Sequence, residues 1–98
     1  MTNALCLRVG DDVANVLAPV SAGDALRVLP DSTPLTATGD LPQYHKIALR
    51  PLPKGHRVRR GGIVIGITTE DIKTGAHVHV HNLRSLRARP ARTEKETA

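Results

Sequence analysis

Gly75-Ala76-His77-Val78-His79-Val80-His81-Asn82-Leu83 holds three of the chain's five histidines at strict two-residue spacing. Two is the side-chain period of a β-strand. A strand here therefore lines His77, His79 and His81 along one face and turns Val78 and Val80 toward a core. A one-residue slip would bury the imidazoles and expose the valines, so the register is self-consistent. The expectation is a ladder of imidazoles on one edge of a small β domain. Along a regular strand, residues i and i+2 lie about 6.5–7 Å apart, and i and i+4 about 13 Å. Bonds from a metal ion to an imidazole nitrogen are only about 2.0–2.1 Å. Two adjacent histidines can thus share one ion, His77 with His79 or His79 with His81, and a third ligand must come from elsewhere. The competing reading is a solvated strand face on which histidines are merely tolerated.

The turn that leads into this stretch recurs. Ile72-Lys73-Thr74-Gly75-Ala76-His77-Val78 has the form of Val20-Ser21-Ala22-Gly23-Asp24-Ala25-Leu26 and of Leu52-Pro53-Lys54-Gly55-His56-Arg57-Val58. Each is an apolar residue, two turn residues, a glycine and then the start of a strand. Glycine supplies the positive φ that such turns need. The unequal spacing of Gly23, Gly55 and Gly75 excludes a solenoid and implies one turn-plus-strand unit used three times in a single domain.

The rest of the chain follows the same style. Residues 4–9 read as a first strand, closed by a turn at Asp11-Asp12, and 12–17 as a strand or a helical turn. Residues 45–49 form a short apolar run, and 63–69, the most β-branched stretch, is expected at the centre of a sheet. The proline- and glycine-bearing segment 30–42 reads as a loop with brief pairing over 36–38. Helical periodicity is nowhere sustained. The expected fold is therefore all-β: short strands and hairpins over residues 1–83, followed by a flexible basic tail, disordered, over residues 84–98.

Composition narrows the function. Tyr44 is the only aromatic residue among 98. The core must be aliphatic, and such a small domain gains from association with a partner or with itself. Cys6 is the sole cysteine, no apolar leader is visible, and no stretch could span a membrane, so a soluble cytoplasmic chain is expected. The net charge of +5 is uneven, with two basic and five acidic groups in residues 1–40 against seven and two in 41–83. Arg57, Arg59 and Arg60 raise the question of nucleic acid. No stacking aromatics or groove-reading helix accompany them, so a small acidic substrate or an acidic partner is favoured instead.

Several dispersed motifs occur in a fixed order: Tyr44-His45-Lys46-Ile47-Ala48-Leu49-Arg50, then Gly62 with Ile65-Gly66, then Asp71-Ile72, then Gly75 with Val78-His79 and His81-Asn82-Leu83. This order resembles the small SAF domain of the altronate and galactarate dehydratase family, including the separate small subunits of sulfolactate sulfo-lyases. The resemblance covers most of residues 4–83. It implies a β-clip fold and a chain that completes a lyase active site with a large catalytic subunit. The reaction implied is loss of water, or sulfite, from the carbon β to a carboxylate, with iron(II) or manganese(II) as cofactor, bound in that complex. By the same resemblance His79 and His81 are the expected metal ligands, with His77 as a further candidate. His45 and Lys46 are the expected proton carrier and carboxylate anchor, and Asn82 and Arg50 the expected substrate-binding residues. Where the family commonly has Lys-Tyr-Gly, this chain has Arg60-Gly61-Gly62, which predicts a looser turn. A free-standing, non-catalytic module that binds a carbohydrate acid or a protein is the alternative.

Overall fold

The computed structural model describes residues 2–86. Its strands are β1 (Thr2–Leu5), β2 (Val13–Val16), β3 (Ala25–Leu29), β4 (Thr33–Thr36), β5 (Lys46–Ala48), β6 (Arg57–Arg60), β7 (Ile63–Thr68), β8 (His77–Val78) and β9 (Leu83–Ser85). They form a six-stranded sheet in the order β4-β3-β1-β2-β5-β8 and a three-stranded sheet in the order β6-β7-β9. The β1–β3 pair is parallel and the others are antiparallel. No helix occurs among the described residues, so the all-β expectation holds. The β-branched run at 63–68 is the central strand of the smaller sheet, as its composition predicts.

One turn builds the fold, and it is used four times. Gly23, Gly55 and Gly75 have φ of 89°, 84° and 84°, and Tyr44 occupies the equivalent place with φ of 68°. In each unit the next residue donates its N–H back across the turn: Asp24 to Ser21, His45 to Pro42, His56 to Pro53 and Ala76 to Lys73, at 3.0–3.1 Å. A turn with positive φ at its third residue suits glycine, because a side chain there meets the backbone. The units pair in twos. Val20 and Leu41 exchange both backbone hydrogen bonds, and so do Leu52 and Ile72. At Gly75 the fit is absolute, since a Cβ would lie 2.1 Å from the Thr36 carbonyl oxygen.

Two aliphatic clusters result. Ala4, Val16, Leu26, Leu41 and Ile47 fill the first, within the larger sheet. Val13, Ala48 and Val78 of that sheet meet Val58, Ile65 and Leu83 of the smaller one in the second. Two buried carboxylates reinforce the junction. Asp11, 1 % exposed, accepts the N–H groups of Arg8, Gly61 and Gly62 at 2.7–3.1 Å. Asp12 accepts the Arg59 N–H at 2.9 Å and holds His56 at 3.1 Å and Arg50 at 3.4 Å.

Four local expectations are corrected and one open alternative is settled. The first strand stops at Leu5, short of residue 9. Residues 12–17 settle as strand β2. The segment 30–42 contains a full strand, β4, paired with β3 along its whole length, because the chain reverses at Ser32 with φ of 63°. The domain runs past residue 83, since β9 extends to Ser85 and the Leu86 N–H bonds to Ile65 O. The remainder of the expected tail, 87–98, lies outside the described residues. Finally, the Arg60-Gly61-Gly62 turn is not loose. Both glycines take positive φ, as a tight two-residue hairpin requires, and Asp11 clamps both of their N–H groups.

Asp11→Ala should therefore orphan three backbone donors at once. The expected loss is about 3 kcal/mol of unfolding free energy, measured by urea denaturation. A loss below about 0.5 kcal/mol would mean that the clamp carries no load.

Candidate functional site

The histidine run folds differently from a ladder. Only His77 and Val78 are strand, and residues 79–82 turn away. Asn82 causes the departure. Its side-chain oxygen accepts the His79 N–H at 2.9 Å, and its side-chain nitrogen donates to the His77 carbonyl at 2.9 Å. A short amide that captures backbone groups three to five residues back competes with the sheet ladder for them. Val78 is consequently fully buried while Val80 is 78 % exposed, so the alternation fails after one step.

The turn brings together imidazoles that the sequence separates. Strands β5 and β8 are antiparallel with Lys46 opposite Val78 and Ile47 opposite His77, a register that carries His45 toward His79 with His77 on the diagonal. His45 Nδ1 and His77 Nε2 are 2.9 Å apart. The His45 and His79 rings stack at 4.4 Å, and the His77 and His79 rings at 5.3 Å. His45, His77 and His79 each offer one nitrogen within 4.8 Å of the others. His81 is exposed; its ring lies 5.3 Å from His77, outside this trio.

Burial and neighbouring charges favour the neutral form of His77 and His79. Burial, then the neighbouring His45, His79, His81 and Lys46 charges, hold the His77 imidazole below its ordinary 6.5. Burial, His45, Lys46 and His81 do the same for His79. The short His45–His77 contact needs one ring to donate and the other to accept, which two cationic rings cannot do. Neutral imidazole is also the form that ligates metal. Nitrogens bound to one ion at about 2.0–2.1 Å, with angles of 90–110°, lie about 2.9–3.4 Å apart. The His45–His77 spacing fits, so the residues present suit a divalent ion.

The other expected site residues are dispersed. Lys46 is in β5, close enough to His77 and His79 to lower both. Asn82 is 4 % exposed, and its amide oxygen and nitrogen both bond within the turn, so it shapes the site. Arg50 is elsewhere. Its guanidinium donates to Asp11 O at 2.8 Å and to Gly10 O and Asp12 Oδ1 at 3.4 Å. Sequence reasoning missed Asn15, whose amide donates to Tyr44 O at 2.7 Å, and missed the Tyr44 turn that presents His45. A signal existed: Leu41-Pro42-Gln43-Tyr44-His45-Lys46-Ile47 parallels Leu52-Pro53-Lys54-Gly55-His56-Arg57-Val58. Tyrosine in the glycine place hid it.

Because both folded-state values lie below 6.5, the unfolded chain takes up protons first on acidification. The cluster thus imposes no penalty above that value and a growing one as pH falls through it. Urea midpoints of the chelator-treated chain should drop between pH 7 and 5, and the drop should shrink in His77→Gln. An unchanged slope in that variant would contradict the lowered His77 value.

The altronate/galactarate dehydratase SAF domain model matches residues 2–86. Altronate dehydratase of Escherichia coli is 39 % identical over 75 residues, covering 76 % of this chain and 15 % of that protein. Altronate dehydratase of Bacillus subtilis is 31 % identical over the same length, with the same coverage. The alpha subunit of (2R)-sulfolactate sulfo-lyase of Paracoccus pantotrophus is 42 % identical over 53 residues, 54 % of this chain and 79 % of that subunit. The matched stretch is thus a small part of the altronate dehydratases but most of the sulfo-lyase subunit.

Proposed function

This chain belongs to the altronate/galactarate dehydratase SAF-domain family, and from that premise we propose that it is the small subunit of a two-chain lyase. The complex would eliminate water or sulfite from the carbon β to the carboxylate of a sugar acid or sulfo acid. The observation that carries this reading is the convergence of His45, His77 and His79 on one point. The altronate dehydratase relatives support the elimination chemistry. The sulfo-lyase alpha subunit, most of whose length is matched, supports a separate small chain.

Elimination takes a proton from the α-carbon and a leaving group from the β-carbon. His45, His77 and His79 would hold a divalent ion, iron(II) or manganese(II), which when bound supplies Lewis-acid activation of the carboxylate and the leaving group. Lys46 adds positive charge beside His77 and His79, where a carboxylate would lie. Neutral imidazoles can accept a proton, which suits the cluster to general base work for any ring not ligated. The cluster sits on a half-buried face with few walls. Further ligands, a positioned base and the exclusion of water fall to a large subunit.

The purified chain, loaded anaerobically with iron(II), should turn over neither altronate, galactarate nor sulfolactate. The complex recovered by affinity pull-down with its large chain should do so. His77→Ala or His79→Ala should each lower the activity of that complex by at least ~10-fold, with less metal retained. Turnover by the single chain would overturn the two-chain reading. Full activity of the double variant would overturn the histidine site.

A further inference from the structure

Beside His79 runs a groove of about 330 Å³ whose lining includes Lys46, Arg60, Ile65 and Leu83. We infer that Arg60, set in place by Asn15, is the residue that recognises a substrate carboxylate in this groove. The substrate class rests on the lyase reading above; the recognition of a carboxylate does not require the metal.

Three observations support the assignment. First, the base of Arg60 is rigid. The preceding Arg59 N–H is held by Asp12 Oδ2 at 2.9 Å, and the following Gly61 N–H by Asp11 Oδ2 at 2.7 Å. Second, its side chain is oriented by a single specific bond, from Nε–H to Asn15 Oδ1 at 2.6 Å. That bond leaves the two terminal nitrogens without a partner among the described residues. A guanidinium fixed through Nε presents those nitrogens as a planar fork, the geometry that grips a carboxylate with two parallel hydrogen bonds. Third, the groove has an anion's environment. Among the described residues no aspartate or glutamate lines it, while Ile65 and Leu83, 5 % and 8 % exposed, give it an apolar floor. Charge-assisted bonds strengthen where water is displaced.

Asn15 also ties this groove to the imidazole cluster. Its Nδ2 donates to Tyr44 O, immediately before His45, while its Oδ1 holds Arg60. Asn15 is a positioning residue: it sets the distance between the carboxylate fork and the rings. A carboxylate gripped by Arg60 beside His79 would extend its adjoining carbons toward His45, His77 and His79. The inference gives to Arg60 the substrate-binding role expected of Arg50, whose guanidinium bonds to the Asp11–Asp12 segment.

The test is an NMR titration of the full-length, chelator-treated chain with galactarate, using neutral galactitol as the control. Saturable shifts at His79 and at the Arg60 side chain are expected with galactarate and none with galactitol. Arg60→Gln should weaken binding at least ~10-fold. Arg60→Lys, which keeps the charge but loses the fork, should fall between the two. Asn15→Ala should also lose affinity while leaving every charge in place. Thermal midpoints check that each variant folds, and the lysine variant keeps the test decisive if the glutamine variant does not. Equal affinity of wild type and Arg60→Gln, equal binding of galactitol, or no saturable galactarate binding would each overturn the inference. Manganese(II) broadening of the His79 signals separates this site from the metal centre. If manganese(II) fails to bind while galactarate still depends on Arg60, the metal reading falls and this one stands. If manganese(II) binds and galactarate is indifferent to Arg60, the carboxylate subsite alone falls.

Discussion

Asp11 and Asp12 connect the two sheets of a protein that has neither phenylalanine nor tryptophan to do so by bulk. Both carboxylates are nearly inaccessible. Burying a carboxylate is costly unless its oxygens are fully bonded, and here the partners are backbone N–H groups of β6 and the β6–β7 turn together with His56 and Arg50. The pair therefore does two things at once. It closes the smaller sheet onto the start of β2, and it fixes the backbone on both sides of Arg60.

The site inherits its geometry from that junction and from the repeated turn. Each positive-φ residue hands its own N–H to a neighbouring segment: Gly23 to Ala37, Tyr44 to Val16, Gly55 to Thr68 and Gly75 to Ala48. The second and fourth units deliver β5 and β8 side by side, and so deliver His45 and His77 to within a hydrogen bond. Tyr44 pays a conformational penalty of about 1–2 kcal/mol that glycine would avoid, and its side chain is largely exposed, so packing does not compensate it. The surrounding bonds from Val16 O and Asn15 hold it there.

The candidate face brings His45, His77 and His79 together with Lys46 and Arg60. Among the described residues no aspartate or glutamate lines the groove beside Lys46 and Arg60, an environment complementary to an anion.

The sequence by itself determined the all-β class, since period-two runs, recurrent glycine turns and the absence of helical periodicity are local properties. It also determined the three glycine units and put His77, His79 and His81 forward as one candidate group, and the dispersed motifs pointed to the family whose model matches residues 2–86. Tertiary structure alone decided the rest. His45 joins His77 across 32 residues because two strands pair, and one sequence carries no record of which strands will do so. His81 leaves the expected ladder because the Asn82 amide outcompetes the sheet for two backbone groups, a side-chain event that hydrophobic alternation cannot register. Arg50 and Arg60 are indistinguishable as letters. What separates them is that one faces the Asp11–Asp12 segment and the other, turned by Asn15, faces the groove.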